Sequence, residues 1–256
     1  MLDSHSHPPD WGILPILIQI GPIAITSYNF FILLALCVGA LVYYLEAREH
    51  KSTNEGTFFV AIAALVGGTI GAKLLIWLSD LPFIVSHISQ VELLLSGRTI
   101  VGGLIGGWIG VVLTKKRLGI TVKKGNLFAP AIAAGMIFGR IGCFLQGCCF
   151  GIGTKLPWGV DFGDGVKRHP TQIYEIIFWL GMYSYLQWAK RLNQAPGALF
   201  SRLITSYFIF RFFLEFLKSE QRLVLNLTIY QYVAILVLIF QLWKGIIDRV
   251  IRDKTV

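Results

Sequence analysis

Seven apolar runs, most of them long enough to cross a lipid bilayer as a helix, constrain the fold of this 256-residue chain more than any other feature. They fall at 23–45, 57–79, 98–114, 127–146, 172–189, 197–217 and 228–247. About 20 apolar residues in helical conformation span a hydrocarbon core. Only 14% of the chain is charged, where a water-soluble domain carries about a quarter. The expected fold is an all-α polytopic membrane protein of about seven transmembrane helices. The third run is short and glycine-rich, so it is expected to pack inside the bundle. No linker or low-complexity tract divides the chain, and a single membrane domain over 23–247 is expected.

Basic residues orient the spans. With the N-terminus outside, thirteen lysines and arginines fall on the inner side, concentrated at Lys115–Arg117, Lys123–Lys124 and in the C-terminal stretch. Six fall outside: Arg98, Lys155, Lys167, Arg168, Lys218 and Arg222. Cytoplasmic loops carry the positive excess, which predicts N-out and C-in. Residues 1–22 then form an extracytoplasmic segment and interfacial arm, and 248–256 a cytoplasmic tail. The apolar stretches 11–22 and 88–95 are too short to span and are expected as interfacial helices or arms. The opening residues lack a basic stretch followed by an apolar run, so no cleavable signal peptide is expected. The net charge of +9 lies between apolar spans, where it sets topology and attracts anionic lipid, so nucleic acid is not an expected partner.

Two arginines break the apolar pattern. Arg140 closes the fourth run, and Arg211 lies in the sixth with Tyr207 one turn before it and Glu215 one turn after. A charge at membrane depth costs about 2.5–3.5 kcal/mol on insertion scales, so it is rarely kept without a function. A guanidinium is permanently charged and matches a phosphate bidentately. The pattern points to a phosphorylated lipid, with Tyr207, Arg211 and Glu215 on one helical face. Lys73, in the second run, either reaches an interface or supplies a third phosphate ligand.

Glycines repeat in Val66-Gly67-Gly68-Thr69-Ile70-Gly71 and Val101-Gly102-Gly103-Leu104-Ile105-Gly106, and Gly102, Gly106 and Gly110 share a helical face. Small residues at that spacing let helices approach closely in lipid. Bare backbone at a helix N-terminus can also approach a phosphate, so Gly102 and Gly103 are candidates for substrate contact. The segment from Gly139 to Gly151 holds Cys143, Cys148 and Cys149. Read alone, this group is a metal site, a redox pair or a set of small buried side chains. Its spacing differs from a zinc knuckle, with His169 the one nearby candidate for a fourth ligand, and no metal is expected. His5 and His7 read as solvent-exposed, and Cys37, alone in the first run, as packing. Asp161 and Asp164 read as solvated loop residues, and Glu175, near the start of the fifth run, as either a dipole-satisfied surface carboxylate or a site residue.

Gly139-Arg140-Ile141-Gly142 with Phe144 and Gly151, then Arg168-His169-Pro170-Thr171-Gln172-Ile173-Tyr174-Glu175, then Tyr207 followed by Arg211-Phe212-Phe213-Leu214-Glu215, resemble the successive motifs of bacterial prolipoprotein diacylglyceryl transferases. Gly102 to Gly106 resembles that family's H-G-G-L-I-G motif, and Tyr28 falls where its first span carries a tyrosine. The resemblance implies a seven-helix inner-membrane enzyme of lipoprotein biosynthesis, with its active site toward the periplasm. Such a protein-modifying transferase moves the diacylglyceryl group of phosphatidylglycerol to the lipobox cysteine thiol of a preprolipoprotein and releases glycerol phosphate. Its partners are then that lipid, the lipobox peptide and the membrane, and no cofactor is expected. The catalytic candidates are Arg140, Arg211, Glu215, Tyr207 and His169; those for substrate binding are Tyr28, Gly102, Gly103, Gly142, Gly151, Glu175, Cys143 and Gln146.

The chain departs from the family pattern at informative places. Val101 stands at the motif histidine and cannot take a proton, and Cys143, Gln146 and Cys148 replace two asparagines and a glutamate. The base is then His169, Glu175 or a cysteine thiolate, or the acceptor arrives already activated. Two alternatives remain open: a related membrane transferase with a different acceptor, and a non-enzymatic transporter of lipid or small solutes.

Overall fold

A computed structural model of the chain describes residues 11–21, 23–50, 55–79, 81–86, 99–121, 124–192 and 194–253. His5, His7 and the arm at 88–95 lie outside these residues. The long helices are α1 (Ser27–Glu49), α2 (Glu55–Ser79), α4 (Ile100–Arg117), α5 (Gly125–Gln146), α6 (Thr171–Ala189), α7 (Ala198–Leu214) and α8 (Ile229–Asp253), with a short α3 (Leu81–Ser86) after α2. Three stretches, Ser27–Glu49, Phe58–Leu78 and Gly125–Gln146, are long and apolar enough to cross a membrane. Large apolar side chains such as Leu33, Leu41, Phe58 and Leu78 stand exposed on α1 and α2. Water would penalise such a surface and lipid does not, so the chain is a predominantly helical membrane protein.

Small residues set the helix pairing. α1 lies along α5, and α2 along α4. A Cβ added at Gly67 would come within 2.5 Å of the Gly106 carbonyl oxygen, and one at Gly106 within 2.7 Å of the Gly71 Cα. The glycine repeat is therefore the contact surface of two helices whose backbones touch. Val101, Trp179, Leu203, Tyr207 and Phe208, with Ala129 and Ala133, form a core shared by α4, α5, α6 and α7, to which α8 adds Tyr230 and Ala234.

Several of the expectations are corrected. Of the helix and arm readings for 11–22, the helix is set aside: strands β1 (Ile16–Ile20) and β2 (Ile23–Thr26) pair antiparallel across Gly21, whose φ of 57° suits the turn. A second small sheet pairs β3 (Val160–Asp161) with β4 (Lys167–Arg168), so the protein is not purely helical. The first span consequently begins at Ser27 and not at 23, where Thr26 caps α1 by accepting a hydrogen bond from the Asn29 amide at 3.2 Å. Cys37 does not pack in the core; it is exposed on the outer side of α1. The last helix continues through Asp253.

Candidate functional site

The site forms where α5 and α7 end and α6 begins. Gly147, with φ 71°, terminates α5, and the Cys148 amide donates back to the Cys143 carbonyl at 3.0 Å. Pro170 precedes the first residue of α6, one position earlier than a first-turn proline would sit. Thr171 donates its hydroxyl to the Cys149 carbonyl at 2.7 Å, and Gln172 donates its amide to the Cys148 carbonyl at 2.6 Å. These two bonds lock the end of α5 to the start of α6.

Arg140 and Arg211 meet across one carboxylate. Arg140 Nη2 lies 2.7 Å from Glu175 Oε2, and Arg211 Nη1 lies 3.6 Å from Glu175 Oε1. The opposite side of Arg211 is held by Glu215 at 2.7 Å, one turn on. Thr228 donates its hydroxyl to Glu215 Oε1 at 3.1 Å, and the Arg211 guanidinium lies over the Tyr230 ring at 5.4 Å. A third cation, Lys218, lies 3.8 Å from Glu175 Oε1. Glu175 and Glu215 are fully buried, and none of the three cations is more than 7% exposed. The surface reading of Glu175 is thus overturned, and it stands at the centre of the charges. The third cation of this cluster is Lys218.

Formally, three buried cations face two buried carboxylates. Glu220 lies at the margin of this cluster, half-buried. Burial first, and then the neighbouring Glu215 charge, raise its pKa toward the neutral form. The Nε–H groups of Arg140 and Arg211 and the hydroxyl of Tyr207 are buried with no hydrogen-bond partner among the described residues. A buried donor left unsatisfied costs about 1–3 kcal/mol. Tyr207 is held by stacking on Trp179, with centroids 5.0 Å apart.

The remaining candidates divide. Cys143 joins the cluster, its sulfur 3.8 Å from Arg140 Nη1. Gln146 accepts at long range, 3.5 Å, from the Tyr28 amide, so this pair ties α5 to the start of α1. A Cβ at Gly142 would come within 2.7 Å of Phe31, and one at Gly151 within 2.9 Å of the His169 Cβ, so both glycines serve close packing. Gly102 and Gly103 do not offer free amides to an anion. The Gly102 amide donates to the Thr99 hydroxyl and the Gly103 amide to the Thr99 carbonyl, both at 3.0 Å. His169 turns its Nδ1 to the Tyr174 hydroxyl at 3.1 Å, which also accepts from Trp158 at 2.9 Å. Asp161 Oδ1 accepts from the Gly163 amide at 2.9 Å, and Asp164 pairs with Arg168 at 2.6 Å. Val101, at the motif histidine position, is 1% exposed in the core that contains Trp179 and Tyr207.

Lys218, Gln172 and Thr228 were not singled out beforehand as site residues. Lys218 follows Arg211 by seven residues, two helical turns, and that spacing was the available signal.

The described residues form a helical membrane protein with three buried cations and two buried carboxylates gathered at its helix ends, and charges in such a protein are rarely kept without a function. The family model for prolipoprotein diacylglyceryl transferases matches residues 15–247. A Clostridium tetani protein named phosphatidylglycerol–prolipoprotein diacylglyceryl transferase is 32% identical, covering 92% of this chain and 98% of its own length. Proteins of the same name from Clostridium perfringens, with the suffix 2, and Bordetella bronchiseptica are each 30% identical, covering 86% and 80% of this chain and 90% and 82% of their own lengths. The chain belongs to the prolipoprotein diacylglyceryl transferase family.

Proposed function

We propose that this protein transfers the diacylglyceryl group of phosphatidylglycerol to the lipobox cysteine thiol of a prolipoprotein, releasing glycerol phosphate. The observation that carries the reading is the excess of buried cations around Glu175, together with the orphaned Nε–H groups of Arg140 and Arg211. One phosphodiester, with a single negative charge, supplies both what the charge count lacks and what the donors lack. In the reaction the acceptor sulfur bonds to the glyceryl carbon, and that carbon's bond to the phosphate oxygen breaks. The electron pair leaves on glycerol phosphate, and the thiol gives its proton to a base. Arg140 and Arg211 stabilise the charge growing on the departing phosphate, a contribution worth most in a water-poor site. Glu175 and Glu215 hold the two guanidiniums in register, and Tyr207 donates to a headgroup oxygen.

The same reading puts the seven long helices across a bacterial inner membrane as one domain, N-terminus out, with the site toward the periplasmic side. The positive excess on the opposite loops supports this orientation. Reporter fusions after Glu49 and Arg117 then report cytoplasm, and one at Gly165 reports the exterior. Purified protein given phosphatidylglycerol and a lipobox peptide yields a thioether-linked lipopeptide and an equal amount of glycerol phosphate. A second reading, the same transfer to another acceptor, is favoured by one observation: Val101 puts an aliphatic side chain where the family carries a proton-exchanging one. Glycerol phosphate without modified peptide supports that reading. Neither product, with lipid flux in proteoliposomes, supports a transporter.

A further inference from the structure

The sulfurs of Cys143, Cys148 and Cys149 converge to within 4.8 Å of one another. We propose that they form a three-thiolate site for a soft monovalent metal ion, copper(I), beside the cationic centre. A metal bound by three sulfurs at about 2.3 Å holds them about 4.0 Å apart in a trigonal plane. The observed 4.8 Å spread is within about 1 Å of that spacing.

The backbone is shaped to bring these sulfurs together. Gly147 takes φ 71°, so the chain reverses at the end of α5 and returns Cys148 to Cys143. Cys149 itself adopts φ 63°, a left-handed conformation that a side chain with a Cβ rarely occupies. An outlier of this kind persists where surrounding contacts over-determine it. Here the hydrogen bonds from Gln172 and Thr171 to the Cys148 and Cys149 carbonyls do so.

The donor set selects the ion. Among the described residues the cluster holds three sulfurs and no histidine or carboxylate. Zinc in a closed protein site takes four ligands, whereas thiolates select soft ions such as copper(I), which accepts three. Cys143 and Cys148 are buried and Cys149 is exposed, which leaves an entry path. Copper(I) replaces the three thiol protons, which pass to solvent. The bound complex carries two negative charges, and the Arg140 guanidinium 3.8 Å from Cys143 lies on the side that offsets them. No change of oxidation state is involved.

The test titrates copper(I), buffered by a chromophoric chelator, into reduced, full-length protein in detergent under anaerobic conditions. One ion per chain with three sulfur neighbours by X-ray absorption is the expected result. Cys143→Ser, Cys148→Ser and Cys149→Ser each lower the affinity by about 100-fold or more, exceeding the 10–100-fold that loss of a supporting partner costs. Cys37→Ser leaves it unchanged. Mass spectrometry of maleimide labelling on wild-type protein gives a readout free of folding artefacts: copper(I) protects Cys149, the exposed thiol of the three, and Cys37 stays reactive. Sub-stoichiometric binding, two sulfur neighbours, retention in any of the three variants, or an unprotected Cys149 overturns the proposal. So does a disulfide among the three that resists mild reduction of the folded protein.

Discussion

Glu175→Gln tests the charge arithmetic of the site. The substitution keeps size and shape but removes the carboxylate that touches Arg140, Arg211 and Lys218 at 2.7, 3.6 and 3.8 Å. Arg211 keeps Glu215; burial first and then the Arg211 charge lower the Lys218 pKa while Glu175 opposes them, so loss of Glu175 lowers it further. Arg140 has neither recourse. Removing one partner of a buried pair costs about 3–5 kcal/mol, against a total stability on the order of 5–15 kcal/mol. The variant therefore unfolds at a clearly lower denaturant concentration in a neutral detergent. Its larger positive excess also favours anionic headgroups, so phosphatidylglycerol restores stability, by about 2.7 kcal/mol at a hundred times its Kd. Phosphatidylcholine restores much less. The double variant Arg140→Gln/Glu175→Gln is less destabilised than Glu175→Gln alone, since no buried guanidinium is left unpaired. Wild-type unfolding of Glu175→Gln in neutral detergent, or equal rescue by both lipids, refutes the assignment of Glu175 as the anion that balances these cations.

Four further outcomes are expected. Arg211→Lys and Arg140→Lys keep a charge but lose the planar fork, and each lowers lipopeptide formation by about 100-fold or more at unchanged expression; near-wild-type turnover in either shows that a point charge suffices. Gly106→Ala places a Cβ 2.7 Å from the Gly71 Cα and costs about 1–3 kcal/mol in denaturant unfolding. By contrast, Gly181→Ala, whose Cβ meets nothing within 4 Å, is neutral or stabilising; equal effects would sink the packing argument. The hydrogen bond from Arg168 holds the Asp164 carboxyl at about 2, so this pair's contribution is complete above the usual aspartate range near 3.9 and is lost only as pH falls through the depressed value. A carboxyl-carbon NMR titration shows this directly, and in Arg168→Ala the midpoint rises to the ordinary range. Val101→His restores a proton-exchanging group beside Tyr207; a large gain in lipopeptide formation shows that the base is deficient, and no change shows that another group serves.

The helices were legible in the sequence because a run of apolar side chains long enough to cross a bilayer has few other stable outcomes. Arg140, Arg211 and Glu215 were legible for the complementary reason, since a charge in such a run is too costly to be incidental. Glu175 was ambiguous because its partners come from two other helices, and helical spacing describes only pairs on one helix. Near the start of α6 it matched a surface carboxylate as well as a buried one. The β1–β2 hairpin was read as a helix or arm because a short apolar run carries no decisive periodicity. Cys37 was misplaced for a related reason: α1 is apolar all round, so its sequence does not say which side meets protein and which meets lipid.

Val101 and the three cysteines are departures that bear on each other. Val101 seals the core side of the site, next to Trp179 and Tyr207, with a side chain that can neither donate nor accept a proton. On the other side, Cys143 stands against Arg140 where the family pattern has a neutral amide. A thiol is a weaker hydrogen-bond partner for the guanidinium than an amide oxygen. The exchanges fall at two places in the fold, valine for histidine at the start of α4 and cysteines for polar residues at the end of α5. Neither exchange removes the contacts that Glu175 makes from α6 with the two guanidiniums. Departures at these residues are thus compatible with an unchanged cluster of guanidiniums and carboxylates.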